Sequence, residues 1–199
     1  MKTQKVKIKK MSISIPEYYS KVDSMPEDPP DSHAFMVQSK NAVCFVLVYP
    51  DSIEKAMPRN QKEVIKGIRK YMAENQGLIQ VEAGDDFVYT IVKSLKDPGV
   101  QYILTLQRFF DDRILHIQAF FDETGMTGIR DTMVFTYCSK QGIIGKGENM
   151  SEGWVCDPYD PSVKTGALMN LSEKEEYDQK FPGFPLTMCR ELVRTVLDS

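Results

Sequence analysis

The chain has 199 residues, a net charge of -3 and an apolar fraction of 42%. That length allows one core that buries roughly 70% of the unfolded surface without a metal or disulfide to hold it. The negative balance argues against a nucleic-acid backbone as the main partner.

The N-terminus, "MKTQKVKIKKMSISI", is basic but lacks the continuous apolar core of a secretory signal. Lys5, Lys7 and Lys9 alternate with Val6 and Ile8. That alternation predicts a strand with a lysine-lined face, which discourages edge pairing; the competing use of such a patch is contact with acidic lipid or RNA. A short strand over Ser12–Ile15 ends at Pro16, and "MPEDPPDS" forms a loop. "AFMVQSKNAVCFVLVYP" predicts a hairpin with strands near 34–38 and 42–49. Val43–Val48 is nearly all apolar, so that strand is expected to be central and covered on both faces.

A helix follows. Val64, Ile65, Ile68 and Met72 recur at helical spacing with Lys, Arg and Glu opposite; Asn60 is placed to cap it and Gly77 to follow its end. Strands are expected near Ile79–Glu82, Phe87–Ser94, Gln101–Phe109 and Ile114–Phe121, with "KDPG" as a turn. In the last pair, Phe109 opposite Ile114 gathers Leu104, Leu106, Leu115, Ile117 and Ala119 on one face. Thr105, Gln107, His116 and Gln118 then share the other, less buried face, with Asp111 and Asp112 at the tip. Those two aspartates lie roughly 15 Å from His116 along the strand, too far to polarise it.

A second helix carries Ile129, Met133, Val134, Tyr137 and Cys138 as its stripe, with Thr127 as N-cap and Gly142 after its end. "IIGKGENMSEGWVCDPYDPSVKTGA" shifts the composition toward Gly, Pro, Ser and Asp, which puts a boundary at 147/148. Residues 1–147 are then an antiparallel domain, and 148–199 an ordered C-terminal extension packed on it. Within the extension, Ser172 and Glu175 read as a capping box. The last helix starts at Pro185 and turns Leu186, Cys189, Leu192, Val193 and Val196 to one side.

No assembled chemistry emerges. The four cysteines, Cys44, Cys138, Cys156 and Cys189, form no C-x-x-C pair and point to a reducing, cytoplasmic setting. His33 and His116 are the only imidazoles, and no metal-ligand spacing joins them. Cys156, Asp157 and Asp160 lack the remaining ligands of a calcium loop, and the glycines at 142, 145 and 147 follow a helix rather than a strand, unlike a phosphate loop. "KFPGFPL" sets Phe181 and Phe184 between prolines, either to anchor the last helix or to dock a partner.

"SISIPEYYSKV" resembles the Phe-x-Ile-x-Ile-Pro opening of the Mog1/PsbP-like family, and "ILHIQAFFDETGMTGIRDTMVFTYCS" is similar to that family's last hairpin and closing helix. The resemblance covers about residues 11–142. It implies an α+β fold with an antiparallel sheet flanked by helices. The family includes a Ran-binding nuclear transport factor, photosystem subunits and bacterial proteins, mostly binding or assembly modules. No residue here matches the transport factor's binding surface or a photosystem contact, so neither role carries over.

The expectation is a soluble, non-catalytic cytoplasmic module that binds another protein, without catalytic residues, metal or cofactor, and without nucleic-acid or membrane partners. Phe181, Phe184, Trp154, Tyr159 and His116 are the candidate contacts. The alternative is a small-ligand carrier or enzyme with a pocket between sheet and extension, lined by Tyr18, Tyr19, Trp154 and Tyr159.

Overall fold

A computed structural model describes residues 2–145 and 149–199. The expected boundary at 147/148 and Gly147 itself lie outside the described residues.

The chain opens with a two-stranded hairpin, β1 (Thr3–Ile8) and β2 (Met11–Pro16). Val6 and Ile8 turn inward while Lys5 and Lys7 stay exposed, as period-two alternation dictates. The main sheet follows with β3 (Ser20–Val22), β4 (His33–Gln38) and β5 (Ala42–Ser52). One turn of 3-10 helix, Ile53–Lys55, leads to α1 (Gln61–Tyr71). Four strands come next: β6 (Gln76–Ala83), β7 (Phe87–Leu95), β8 (Val100–Phe110) and β9 (Arg113–Glu123). The seven main strands are antiparallel in the order β3-β4-β5-β9-β8-β7-β6. After α2 (Ile129–Lys140) a small ladder joins β10 (Val155–Cys156) to β11 (Met169–Asn170). Two 3-10 segments, Leu171–Glu173 and Glu175–Lys180, precede α3 (Pro185–Leu197). No helix of the described residues is long and apolar enough to cross a membrane.

The expected register of the β8–β9 hairpin holds throughout. Phe109 opposes Ile114, Gln107 opposes His116 and Leu104 opposes Ala119, across a tip whose Asp111 takes a φ of 34°. The face carrying Leu104, Leu106, Leu115 and Ile117 is sealed by α3 and the N-terminal hairpin. Leu186, Cys189, Leu192, Val193 and Val196 of α3 enter this core together with Ile13 and Ile15. Pro185 stands at the start of α3, where its missing N–H costs nothing.

Several local expectations are corrected. Gly77 does not follow a helix end; it lies in β6, where a Cβ would stand 1.9 Å from the Ala167 carbonyl oxygen, so the close approach of the 166–168 segment requires glycine. The N-cap of α2 is Gly128, at φ 73°, rather than Thr127. The buried stripe of α2 is Arg130, Val134 and Cys138, while Met133 and Tyr137 face solvent. Arg130 can face inward because Asp178 and the Ser172 carbonyl meet it there. The capping box is formed by Asn170 and Glu173, not Ser172 and Glu175; the Ser172 hydroxyl instead donates to Asp131. Finally, β5 is covered unevenly: Cys44, Val46 and Val48 are buried on one face, while on the other Leu47 is buried but Val43 and Phe45 are only half-buried.

Candidate functional site

The second face of the sheet positions the site. Cross-strand partners share a face, so the register places Met36, Phe45, Phe120, Ile103 and Val92 in one row across β4, β5, β9, β8 and β7. Met36 is 45% exposed. Phe45, Phe120 and Ile103 are half-buried. Phe45 and Phe120 pack into none of the three apolar clusters of the described residues.

At the β7 end the row runs under α1. That helix starts cleanly because the Asn60 side chain accepts from the backbone N–H groups of Lys62 and Glu63. Its sheet-facing side offers one fully buried residue, Val64, with Ile65 and Ile68 partly buried. The helix thus stands off the sheet and leaves a cleft of about 370 Å³. Val92 and Ile103 form its floor; Val64, Gly67, Ile68 and Met72 form one wall, and Tyr71 lies at the lip, 81% exposed. Met57 closes one end, held by the Gln107 side-chain oxygen, which accepts its backbone N–H.

A second, more polar recess of about 680 Å³ adjoins the cleft at Met72 and Gln76 and runs between α1 and the 157–168 segment. Its one guanidinium, Arg69, is already matched by Asp157 at 2.5 Å and Asp160 at 3.6 Å. Asp157 also accepts from the backbone N–H groups of Tyr159 and Asp160, which makes it a turn former rather than a free ligand.

The sequence-derived candidates are scattered. Phe181 is buried with Val134, Cys138 and Tyr177, and meets Phe184 edge-on at 5.3 Å. Trp154 joins the same cluster, edge-on to Phe135 at 5.1 Å. Tyr159 lies apart from them and reaches the edge of β6, where its oxygen sits 2.6 Å from the Val81 N–H. Tyr19 is buried in the main core, stacked on Tyr18, so it and Trp154 do not share a pocket. His116 stacks on Tyr49 at 4.7 Å, and its Nε2 is buried without a hydrogen-bond partner among the described residues. Its face is more covered than alternation implies, because Gln107 beside it is buried beneath the Lys55–Met57 loop. Burial lowers the His116 pKa, opposed by the nearby charge of Asp51.

The densest set of ionisable groups lies elsewhere, between the sealed face and the extension. Lys93 meets Glu173 at 3.0 Å, Tyr102 donates to the same carboxylate at 2.6 Å, and Arg130 and Arg190 share Asp178. Burial and Glu173 push the Tyr102 hydroxyl well above its ordinary value. The adjoining cavity is only about 20 Å³, room for a single water, so a substrate has no way to these groups. Among the described residues no group of three or more His, Cys, Asp or Glu could hold a metal.

The architecture is α+β, with a seven-stranded antiparallel sheet flanked by helices. Among solved structures the chain is similar to the Saccharomyces cerevisiae Ran-binding protein Mog1p, at 9% identity and a TM-score of 0.45, over 68% of this chain and 84% of that one. No protein-family model and no curated protein sequence matches it.

Proposed function

We propose that the chain is a non-catalytic module that binds another protein through the uncovered half of its sheet and the cleft under α1. The observation that carries this reading is the continuous apolar row from Met36 through Phe45, Phe120 and Ile103 into the cleft. Contiguous exposed apolar surface mostly marks an interaction site, and a groove of this kind accepts the apolar side of a helix or strand. Gly67 adds support: nothing lies within 4 Å of where its Cβ would stand, so packing does not call for glycine there, and the space belongs to the cleft. In this reading Phe181, Phe184 and Trp154 serve packing rather than docking. Four unpaired thiols are in keeping with a reducing, cytoplasmic setting.

The polar recess beside the cleft supports a second reading, a small-ligand carrier, because its volume of 680 Å³ lies in the range of ligand sites. A photoreactive phenylalanine analogue at position 120, irradiated in native lysate, separates the two. A discrete protein adduct that is absent when the analogue replaces exposed Lys10 is the expected result. Absence of any adduct at position 120, with a small molecule co-purifying instead, would overturn the protein-binding reading.

A further inference from the structure

The chain as a whole is acidic, yet the helix above the cleft is not. Between Arg59 and Met72 stand Arg59, Lys62, Lys66, Arg69 and Lys70 against Glu63 alone. Arg69 is neutralised by the two aspartates of the polar recess. Lys62, Lys66 and Lys70 are exposed and form no ion pair among the described residues. Their side of the helix is defined by geometry. At 3.6 residues per turn, Lys66 and Lys70 fall within roughly 60° of Glu63, on the solvent side of the cleft-lining arc, whereas Lys62 lies about 100° from Glu63, on the far side. Residues three positions apart are surface neighbours, so Lys66 borders Glu63 and Lys70 borders Gly67, both at the cleft mouth. Lys70 also lies over the Tyr71 ring, 5.5 Å from its centre.

We propose that the occupant of the cleft is an acidic amphipathic helix of a partner protein. Its apolar row lies in the cleft and over Phe120 and Phe45, and its carboxylates face Lys66 and Lys70; Arg59 is already held over the Phe109 ring and by the Asp85 carbonyl. The inference rests on the protein-binding reading of the same surface. Charge complementarity selects the sign of the partner. Dimensions select its kind: from Met36 to Val92 the row crosses four strand spacings, about 19 Å, which matches roughly 13 residues of helix at 1.5 Å each. A single acyl chain would leave much of that row uncovered, and a flat lipid surface would not enter a cleft beneath a helix. Met57 and Met72 at the cleft, with their unbranched and polarisable side chains, suit an irregular helical ridge.

The test uses the full chain and three 16-residue peptides with leucine at helical spacing and flanking Glu, Gln or Lys, read by fluorescence anisotropy. The Glu peptide should bind at least about tenfold tighter than the Gln peptide at low salt, and the gap should shrink as salt screens the charges. The double variant Lys66→Glu with Lys70→Glu should reverse the preference toward the Lys peptide. Should that variant fold poorly by thermal melt, Lys66→Gln with Lys70→Gln should lose most of the preference for Glu. Equal binding of the Glu and Gln peptides, with adducts at position 120 retained, would overturn the charge inference and leave the docking reading intact. Failure of every peptide together with absent adducts would sink both. Lysine-dependent binding of oleate or of anionic phosphatidylglycerol vesicles, without peptide binding, would assign the ridge to lipid and overturn the inference.

Discussion

The two faces of the sheet use the same strands to opposite ends. On the sealed face, Leu104, Leu106, Leu115 and Ile117 are wholly excluded from water beneath α3 and the N-terminal hairpin. On the other face the row one residue out of step, Ile103, Phe120 and Phe45, is half-open. Alternation only divides the side chains of a strand between two faces; it does not fix what covers each face. The difference lies in the covering elements. On the sealed side, buried ionic contacts join the extension to the sheet through Lys93–Glu173, and α2 and α3 to each other through Asp178. On the open side the one helix above the sheet, α1, carries a glycine and a charged ridge where a further apolar stripe would have closed the gap. A sheet of this kind has a structural face and an available one.

Two substitutions in β8 and β9 put that contrast under the greatest load. Leu106→Ala on the sealed face should cost about 3–5 kcal/mol, because the deletion leaves a cavity that packed neighbours cannot fill. Phe120→Ala on the open face should cost about 1 kcal/mol or less, mostly its cross-strand contacts with Phe45 and Ile103. Equal losses in urea unfolding would mean that the open face is covered as well. Glu173→Gln tests the clamp on the sealed side. Its carboxylate is fully buried and answers Lys93, Tyr102 and the Asn170 N–H. Neutralising it leaves Lys93 buried without an anion, a loss of about 3–5 kcal/mol. A variant that unfolds like the parent chain would show that the pair contributes nothing net.

The sealed face was legible in the sequence and the open one was not. The β8–β9 register follows from residues within 20 positions of each other, since Leu104, Leu106, Leu115 and Ile117 align only when Phe109 opposes Ile114. The amphipathic last helix was equally local, with Pro185 marking its start. Features with distant causes escaped. Gly77 looks like a helix terminator until the Ala167 carbonyl arrives beside it. Arg130 looks like a solvent residue until Asp178, 48 positions on, meets it inside. Because Arg130 turns inward, the apolar stripe of α2 shifts and Met133 with Tyr137 is left outside. The site was hidden for a related reason. Val43–Val48 reads as a strand covered twice, and whether a helix lies over Phe45 is a tertiary fact with no trace in that run. The lysines of α1 read as an ordinary solvated face, because the cleft beside them is a tertiary feature with no trace in the run itself.

His116 offers a smaller test of how covered the open face becomes toward the Lys55–Met57 loop. Its buried ring nitrogen favours the neutral form, so its pKa in the fold lies below the ordinary value, despite Asp51. From about pH 6.5 downward the unfolded chain takes up a proton that the folded chain resists. Stability is therefore complete above that pH and falls as the pH drops toward the folded-state pKa. His116→Gln should flatten this slope between pH 7 and pH 5 and change stability little at pH 7. His33, lowered by its own burial and by Lys21, leaves a residual slope of the same sign. An unchanged slope in denaturant titrations would place the His116 ring in water.

The smallest expected change is also the one that most sharply separates stability from binding. Gly67 lies in the interior of α1, where glycine costs about 0.8–1 kcal/mol relative to alanine. Its surroundings give no steric reason for that cost, since a Cβ at this position meets no heavy atom within 4 Å. On packing grounds alone, Gly67→Ala should stabilise the chain by up to about 1 kcal/mol. The added methyl, however, projects at the lip of the cleft between Glu63 and Tyr71. The same variant should therefore melt higher and bind an amphipathic peptide more weakly, and Gly67→Leu should bind more weakly still. A fall in stability for Gly67→Ala would mean that α1 lies closer to the sheet than its exposed wall indicates. A gain in stability with undiminished binding would move the docking surface away from α1, onto Phe45 and Phe120 alone.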